Sequence, residues 1–346
     1  MVHTEAPFFL FGMGQREKYF YKNRTLYHQD GRVVLDLTDS VDMRIEPEDY
    51  TVTVTMTDGS KVILVEDEEG FWCERNGQRY CFTASPIKLP TFEGHPYRVH
   101  LRILLHEVLY NITPDGRPLP NIFVYDKPWY RDSALIAMVL AATDNLHLIR
   151  DFVLGMNECY DRNNAGHCEP DNLGEALYLI STVSDASHPL VPALVAEAKR
   201  LWTDEGMPGL IDFNDHPVYS AKWLKYGLSR LGLDHSWVTI PNKADNYSPL
   251  FWMDYKDQHV EIPHREYDAL YPYLWWAERH FYELEIDDAF LELSYPLTNE
   301  TKASQADYEK IRVLSENYAN AKNASPHTWH SAEMFLWFVD QTEREN

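Results

Sequence analysis

Three turn dipeptides, each set between runs of alternating apolar and polar side chains, constrain this chain more than any other feature. Asp30-Gly31 divides TLYHQDGRVVLDL, Asp58-Gly59 divides YTVTVTMTDGSKVILVED, and Asn76-Gly77 divides GFWCERNGQRYCFTA. Asn-Gly and Asp-Gly accept the positive φ angles of tight hairpin turns. Period-two alternation puts one side of each strand in a core. A small antiparallel β domain over residues 1–90 is the expectation. Pro86, Pro90 and Pro96 in SPIKLPTFEGHP then read as a linker.

From about Tyr97 the apolar spacing changes to that of helices. YRVHLRILLHEVLYNI, DSALIAMVLAAT, NLHLIRDFVLGMN, DNLGEALYLISTVS, PLVPALVAEAKRLWTDE, PVYSAKWLKYGLSRLG, EYDALYPYLWWAERHFYEL, QADYEKIRVLSENYA and HSAEMFLWFVDQTE follow in series. That makes about nine or ten helices and no further clear strands. No internal repeat is visible, which disfavours a regular solenoid. The expected fold is therefore mainly α: a helical toroid over residues 91–346, carrying the active cleft, behind the β domain.

Composition narrows the partners. The net charge of −23 repels phosphate backbones and anionic lipid, so neither nucleic acid nor a membrane surface is expected as a partner. With 10 Trp and 22 Tyr among 14% aromatics, rings beyond those needed for a core could stack on sugars. The apolar run Pro7 to Met13 is too short, and lacks the basic flank, for an export signal. The four cysteines form no CxxC, so free thiols and a cytoplasmic location are expected.

Four segments could carry chemistry. In DKPWYRDSALIAMVL, Arg131 and Asp132 offer a fork of donors beside an acceptor for sugar hydroxyls, with Trp129 and Tyr130 as a stacking wall. Asp132 suits a helix N-cap equally well. In YDRNNAGHCEPDNLGEALYLI, Glu169, Asp171 and Glu175 crowd a helix start beside Asn172, where like charges raise one another's pKa. Capping by Asp171 or Asn172 explains the same pattern. FWMDYKDQHVEIPHREYDALYPYLWW mixes Asp254, Asp257, His259, Glu261, His264, Glu266 and Asp268 with aromatics. It shows no HExxH or fixed ligand spacing, so substrate contacts, including His264, fit better than a metal. In LSENYANAKNASPHTWHSAEMFLWF, Glu316 ends one helix, while Trp329 and Glu333 open the next. No metal and no cofactor are expected anywhere.

At these segments the chain resembles the six-hairpin glycosidase superfamily of glucoamylases, trehalases and processing α-glucosidases. WYRDSA resembles the W-x-RD-S/A segment in which Arg and Asp grip the terminal sugar. EPDNL resembles the segment carrying the general acid, and ENYANAKNASPHTWHSAEMFL the closing segment carrying the general base. The resemblance implies an (α/α)6 toroid and an inverting hydrolase of short oligosaccharides. It makes Asp171 the acid, supported by Glu169, and Glu316 the base, with Glu333 in support or as the alternative base. In such an enzyme the two carboxyls stand about 6.5–9.5 Å apart. A carbohydrate lyase or epimerase, drawing on Tyr130, His167, His264 or His330, and a non-catalytic sugar-binding protein are the alternatives.

Overall fold

The computed structural model describes residues 8–243, Tyr247 and residues 295–344. The expected helix EYDALYPYLWWAERHFYEL and the loop with His264 lie outside them. The described residues divide into two units. One holds residues 8–126, 139–148 and 295–344; the other holds residues 127–138, 149–243 and Tyr247.

The first unit opens with two antiparallel meanders. β1 (Phe8–Phe11), β2 (Tyr19–Lys22), β3 (Thr25–His28) and β4 (Val33–Asp36) form a four-stranded sheet in chain order. β5 (Ser40–Glu46), β6 (Thr51–Met56), β7 (Lys61–Glu66), β8 (Gly70–Arg75) and β9 (Gln78–Ala84) form a five-stranded one. All three predicted hairpins are present, and the turn at Asn76-Gly77 takes positive φ at both residues, 52° and 75°. Burial alternates strictly along β6, as the period-two reading requires. An aromatic seam joins the sheets: Phe71 stacks on Phe11 at 4.3 Å and on Phe82 at 4.9 Å. Cys73 is buried and Cys81 exposed, and they pair with Tyr80 and Trp72 rather than with each other; all four thiols are free.

Helix α1 (Arg98–Tyr110) packs on this β region through its buried face. His106 Nε2 lies 2.9 Å from the Leu10 carbonyl, and Tyr50 stacks on the same imidazole. Burial pushes the His106 pKa down to about 4, which keeps the ring neutral.

The second unit is helical. It contains the first turns of α2 (Tyr130–Ala142), then α3 (Arg150–Leu154), α4 (Asp171–Val183), α5 (Val191–Leu201) and α6 (Pro217–Arg230). A two-stranded ribbon, β10 (Leu210–Ile211) with β11 (Asn214–Asp215), precedes α6. α4 and α6 cross at glycines. A Cβ on Gly174 would fall 2.3 Å from the Leu224 nitrogen, and one on Gly227 would fall 2.5 Å from the Gly174 carbonyl. Only hydrogen atoms fit there, so the two backbones touch directly.

Back in the first unit, β12 (Glu300–Thr301) pairs with β13 (Asn323–Ala324). α7 (Glu316–Ala321) and α8 (Thr328–Arg344) complete the described helices.

The mainly-α toroid and the six-hairpin resemblance do not hold. Among the described residues, about thirteen strands in four sheets accompany eight helices, 35% of residues are helical, and no (α/α)6 toroid is evident. Two segments with helical apolar spacing account for part of the difference. NLHLIRDFVLGMN forms a turn of 3-10 helix and the five-residue α3. QADYEKIRVLSENYA forms another 3-10 turn and the six-residue α7. Periodicity reported buried faces, and those faces belong to short turns. Among the described residues, no helix is long and apolar enough to cross a membrane.

Candidate functional site

The start of α2 is held by a loop that follows it in sequence. Asp161 Oδ2 accepts the Tyr130 N–H at 2.7 Å, and Asn163 donates to the Pro128 carbonyl at 2.5 Å. Asp161, far from Tyr130 in sequence, thus does the capping that Asp132 was expected to do. Asp132 lies in the first turn, 3% exposed. Trp129 and Tyr130 are buried as well, with the Tyr130 hydroxyl donating to the Glu158 carbonyl, so neither forms an open stacking wall.

Arg131 is the centre of the arrangement. Its Nε donates to Asp171 Oδ2 at 2.8 Å, Nη1 to Asp212 Oδ2 at 2.9 Å and Nη2 to Glu169 Oε2 at 3.1 Å. A guanidinium presents a rigid fork of donors, and here three carboxylates share it. Asn164 bridges Glu169 Oε1 at 3.0 Å and Asp212 Oδ1 at 3.3 Å. The Tyr247 hydroxyl donates to Asp212, and its ring lies 5.3 Å below the guanidinium. Further along α4, Asn172 donates to Glu175 Oε2 at 3.2 Å, and the Tyr219 hydroxyl on α6 approaches Glu175 Oε1 at 3.5 Å.

Six carboxyls surround this one cation: Asp132, Asp161, Glu169, Asp171, Glu175 and Asp212. Removal from water raises the pKa of five of them. Asp132 rises to about 8 through burial, against the downward pull of Arg131. Glu175 is pushed well above the carboxylate range, first by burial and then by the negative charge of Asp171 one turn away. Asp171 rises for the same first reason, although Arg131 opposes it. Burial and the Asp171 charge thus favour the neutral acid form of Glu175, which hydrogen-bonds with Asp171.

Among the described residues, the carboxylate that touches Arg131 and reaches solvent is Asp212, and Asp161 beside the cluster is part-exposed as well. The Asp212 side chain is 34% exposed, whereas those of Arg131, Glu169 and Asp171 are at most 3% exposed. Asp212 and Phe213 form the two-residue turn between β10 and β11, both at positive φ, 45° and 69°. Neither is glycine, so the turn is strained. The Asp212 N–H donates to Glu169 Oε1 at 2.7 Å, which ties the strained turn to the cluster. Beside Asp212, Phe213 is 58% exposed and Leu210 57% exposed.

Of the predicted residues, Arg131, Asp132, Glu169, Asp171, Asn172 and Glu175 come together here. Trp329, Glu316 and Glu333 belong to the first unit. The Glu316 side chain is 79% exposed and lies 3.8 Å from Arg312. Glu333 is 2% exposed on α8. Asp161 and Asp212 went unpredicted, and so did the strained turn that delivers Asp212. Comparison with protein-family models, with curated proteins and with solved structures finds no match to this chain.

Proposed function

We propose that the Arg131 cluster is the acid–base site of an enzyme that hydrolyses a neutral carbohydrate. The carrying observation is that, among the described residues, six carboxyls gather about the Arg131 guanidinium, with Asp212 34% exposed to solvent. A buried acid that keeps its proton near neutral pH is what protonation of a glycosidic oxygen requires. Asp212 is the carboxylate placed to meet substrate. Asp171 and Glu169 hold the Arg131 guanidinium that positions Asp212, while Glu175 is the buried acid behind them. The exposed Phe213 and Leu210 offer an apolar platform next to Asp212, suited to the C–H face of a sugar ring. The acidic surface favours a neutral ligand. Four free thiols suit a reducing, cytoplasmic setting.

The lyase and epimerase reading needs a phenol or imidazole base. The phenols of Tyr130, Tyr219 and Tyr247 are all driven upward by burial, which makes them donors and poor bases. The test is a panel of aryl glycosides and natural oligosaccharides, assayed for released reducing sugar. Turnover by the wild type and a loss of about 100-fold or more in Asp212→Asn is expected. Binding without turnover, an unsaturated product absorbing in the near ultraviolet, or an unimpaired Asp212→Asn would each overturn the proposal.

A further inference from the structure

We infer that Glu300, His327 and His330, in the first unit, form a binding site for one first-row divalent cation, zinc foremost. One ligand atom from each residue lies within 4.8 Å of the others. His327 immediately precedes α8 and His330 lies in its first turn, a spacing of three that puts both rings on one side of the helix. Glu300 comes from β12, whose partner β13 leads directly into the histidines, with Glu300 opposite Ala324. The strand pair is the clip that brings the carboxylate to the imidazoles.

The donor set selects the ion. Two imidazole nitrogens and one carboxylate oxygen suit zinc, cobalt or iron(II), whereas calcium and magnesium want oxygen alone. Among the described residues three protein ligands fill three positions of a tetrahedral site. His330 Nε2 and Glu300 Oε2 now lie 2.7 Å apart, joined by a proton. Bonds of about 2.0–2.2 Å to a tetrahedral zinc would set these atoms roughly 3.3 Å apart. For this pair the cation replaces the shared proton with a movement of about half an ångström.

The histidine backbone is already held by buried polar groups. Ser331 Oγ and Thr298 Oγ1 donate to the His327 carbonyl at 2.8 and 3.2 Å, and Asn121 donates to the Pro326 carbonyl at 2.7 Å. Behind them the fully buried Glu107 accepts from Thr298 Oγ1 at 2.6 Å and from Ser331 Oγ at 2.8 Å. Such outer contacts fix ligand orientation before a metal arrives. His327 and His330 are 3% and 6% exposed and the Glu300 side chain 21%, so an ion enters past the carboxylate.

The experiment uses the full chain, stripped with chelator and titrated with Co²⁺ and then Zn²⁺. One equivalent of Co²⁺ is expected to bind with the visible absorption of a four-coordinate site, and Zn²⁺ to displace it. Glu300→Gln, which preserves an acceptor for His330, and His330→Asn should each weaken binding by about 100-fold or more. The wild-type melting temperature should rise with Zn²⁺, and that of Glu300→Gln should not, which separates metal binding from a folding defect. Absence of stoichiometric binding by the wild type, or equal binding by wild type and both variants, would overturn the site.

Discussion

Arg16 and Arg131 are each 1% exposed, yet the two guanidinium groups are matched in different ways. Arg16, in the first unit, meets one carboxylate, Glu66, at 2.9 Å, and two backbone carbonyls, those of Ser85 and Glu68. Glu66 in turn accepts the N–H groups of Gly12 and Met13 at 2.9 and 2.6 Å. Each of these donors has its acceptor, the pattern of a weld between the β1–β2 loop and β7. The buried Lys18 beside the pair, its pKa lowered to about 7 by burial, leaves this site with no shortage of positive charge. Arg131, in the second unit, meets three carboxylates with three more beside them, and among the described residues Asp132 Oδ1 has no hydrogen-bond donor. Among those residues this buried network has fewer positive charges than carboxyls, and such a network gains little as a weld. The contrast separates a structural ion pair from a site that stores protons.

Arg131→Met should have the largest effect. Removing one partner of a buried ion pair costs about 3–5 kcal/mol, and here three carboxylates lose their cation together. Urea unfolding should show a cost at pH 8 that shrinks as the pH falls to 5.5, because the stranded carboxyls can take up protons. Arg16→Met strands a single carboxylate that keeps two backbone donors, so its cost should vary less over the same range. Equal pH dependence in the two variants would erase the comparison.

Gly174→Ala comes next, since its methyl group has no room against α6. A loss of about 1–3 kcal/mol is expected from overpacking, with the Arg131 site disturbed because α4 carries Asp171 and Glu175. Unchanged stability would mean that the α4–α6 contact is looser than described.

Asp132→Asn isolates the proton storage. The folded-state pKa of about 8 lies above the unfolded value of about 3.9, so the folded protein binds the extra proton between them. Stability conferred by that proton is complete at low pH and is lost as pH rises toward 8, by up to about 1.4 kcal/mol per pH unit. The Asn variant should lack this part of the slope. Glu175→Gln should be smallest in stability, within about 1 kcal/mol, because the amide N–H replaces the acid proton directed at Asp171.

Parts of this were legible in the residues. Asp30-Gly31, Asp58-Gly59 and Asn76-Gly77 announce their hairpins because few other dipeptides tolerate those turns. The β2–β3 turn at Asn23-Arg24 has the same positive φ values without glycine and is silent in the sequence. The acids at Glu169, Asp171 and Glu175 were visible as a cluster because one helix start carries them. Asp212 was not, since only a strained turn at a distance of 81 residues from Arg131 brings it in. Glu107, inside the apolar run LLHEVLY, did carry a signal: a carboxylate on a buried helix face needs partners, and Thr298 and Ser331 supply them. His327 and His330 were readable as a pair, but their third ligand is Glu300, and a two-residue strand pair leaves no pattern to read.

Infrared spectroscopy tests the central claim most directly, because a protonated carboxyl has a carbonyl stretch distinct from that of a carboxylate. The wild type at pH 7 should show such a band, and Glu175→Gln should lose a distinct component of it. A wild-type spectrum with no protonated carboxyl at pH 7, or a band unchanged by Glu175→Gln, would contradict a proton stored beside Arg131.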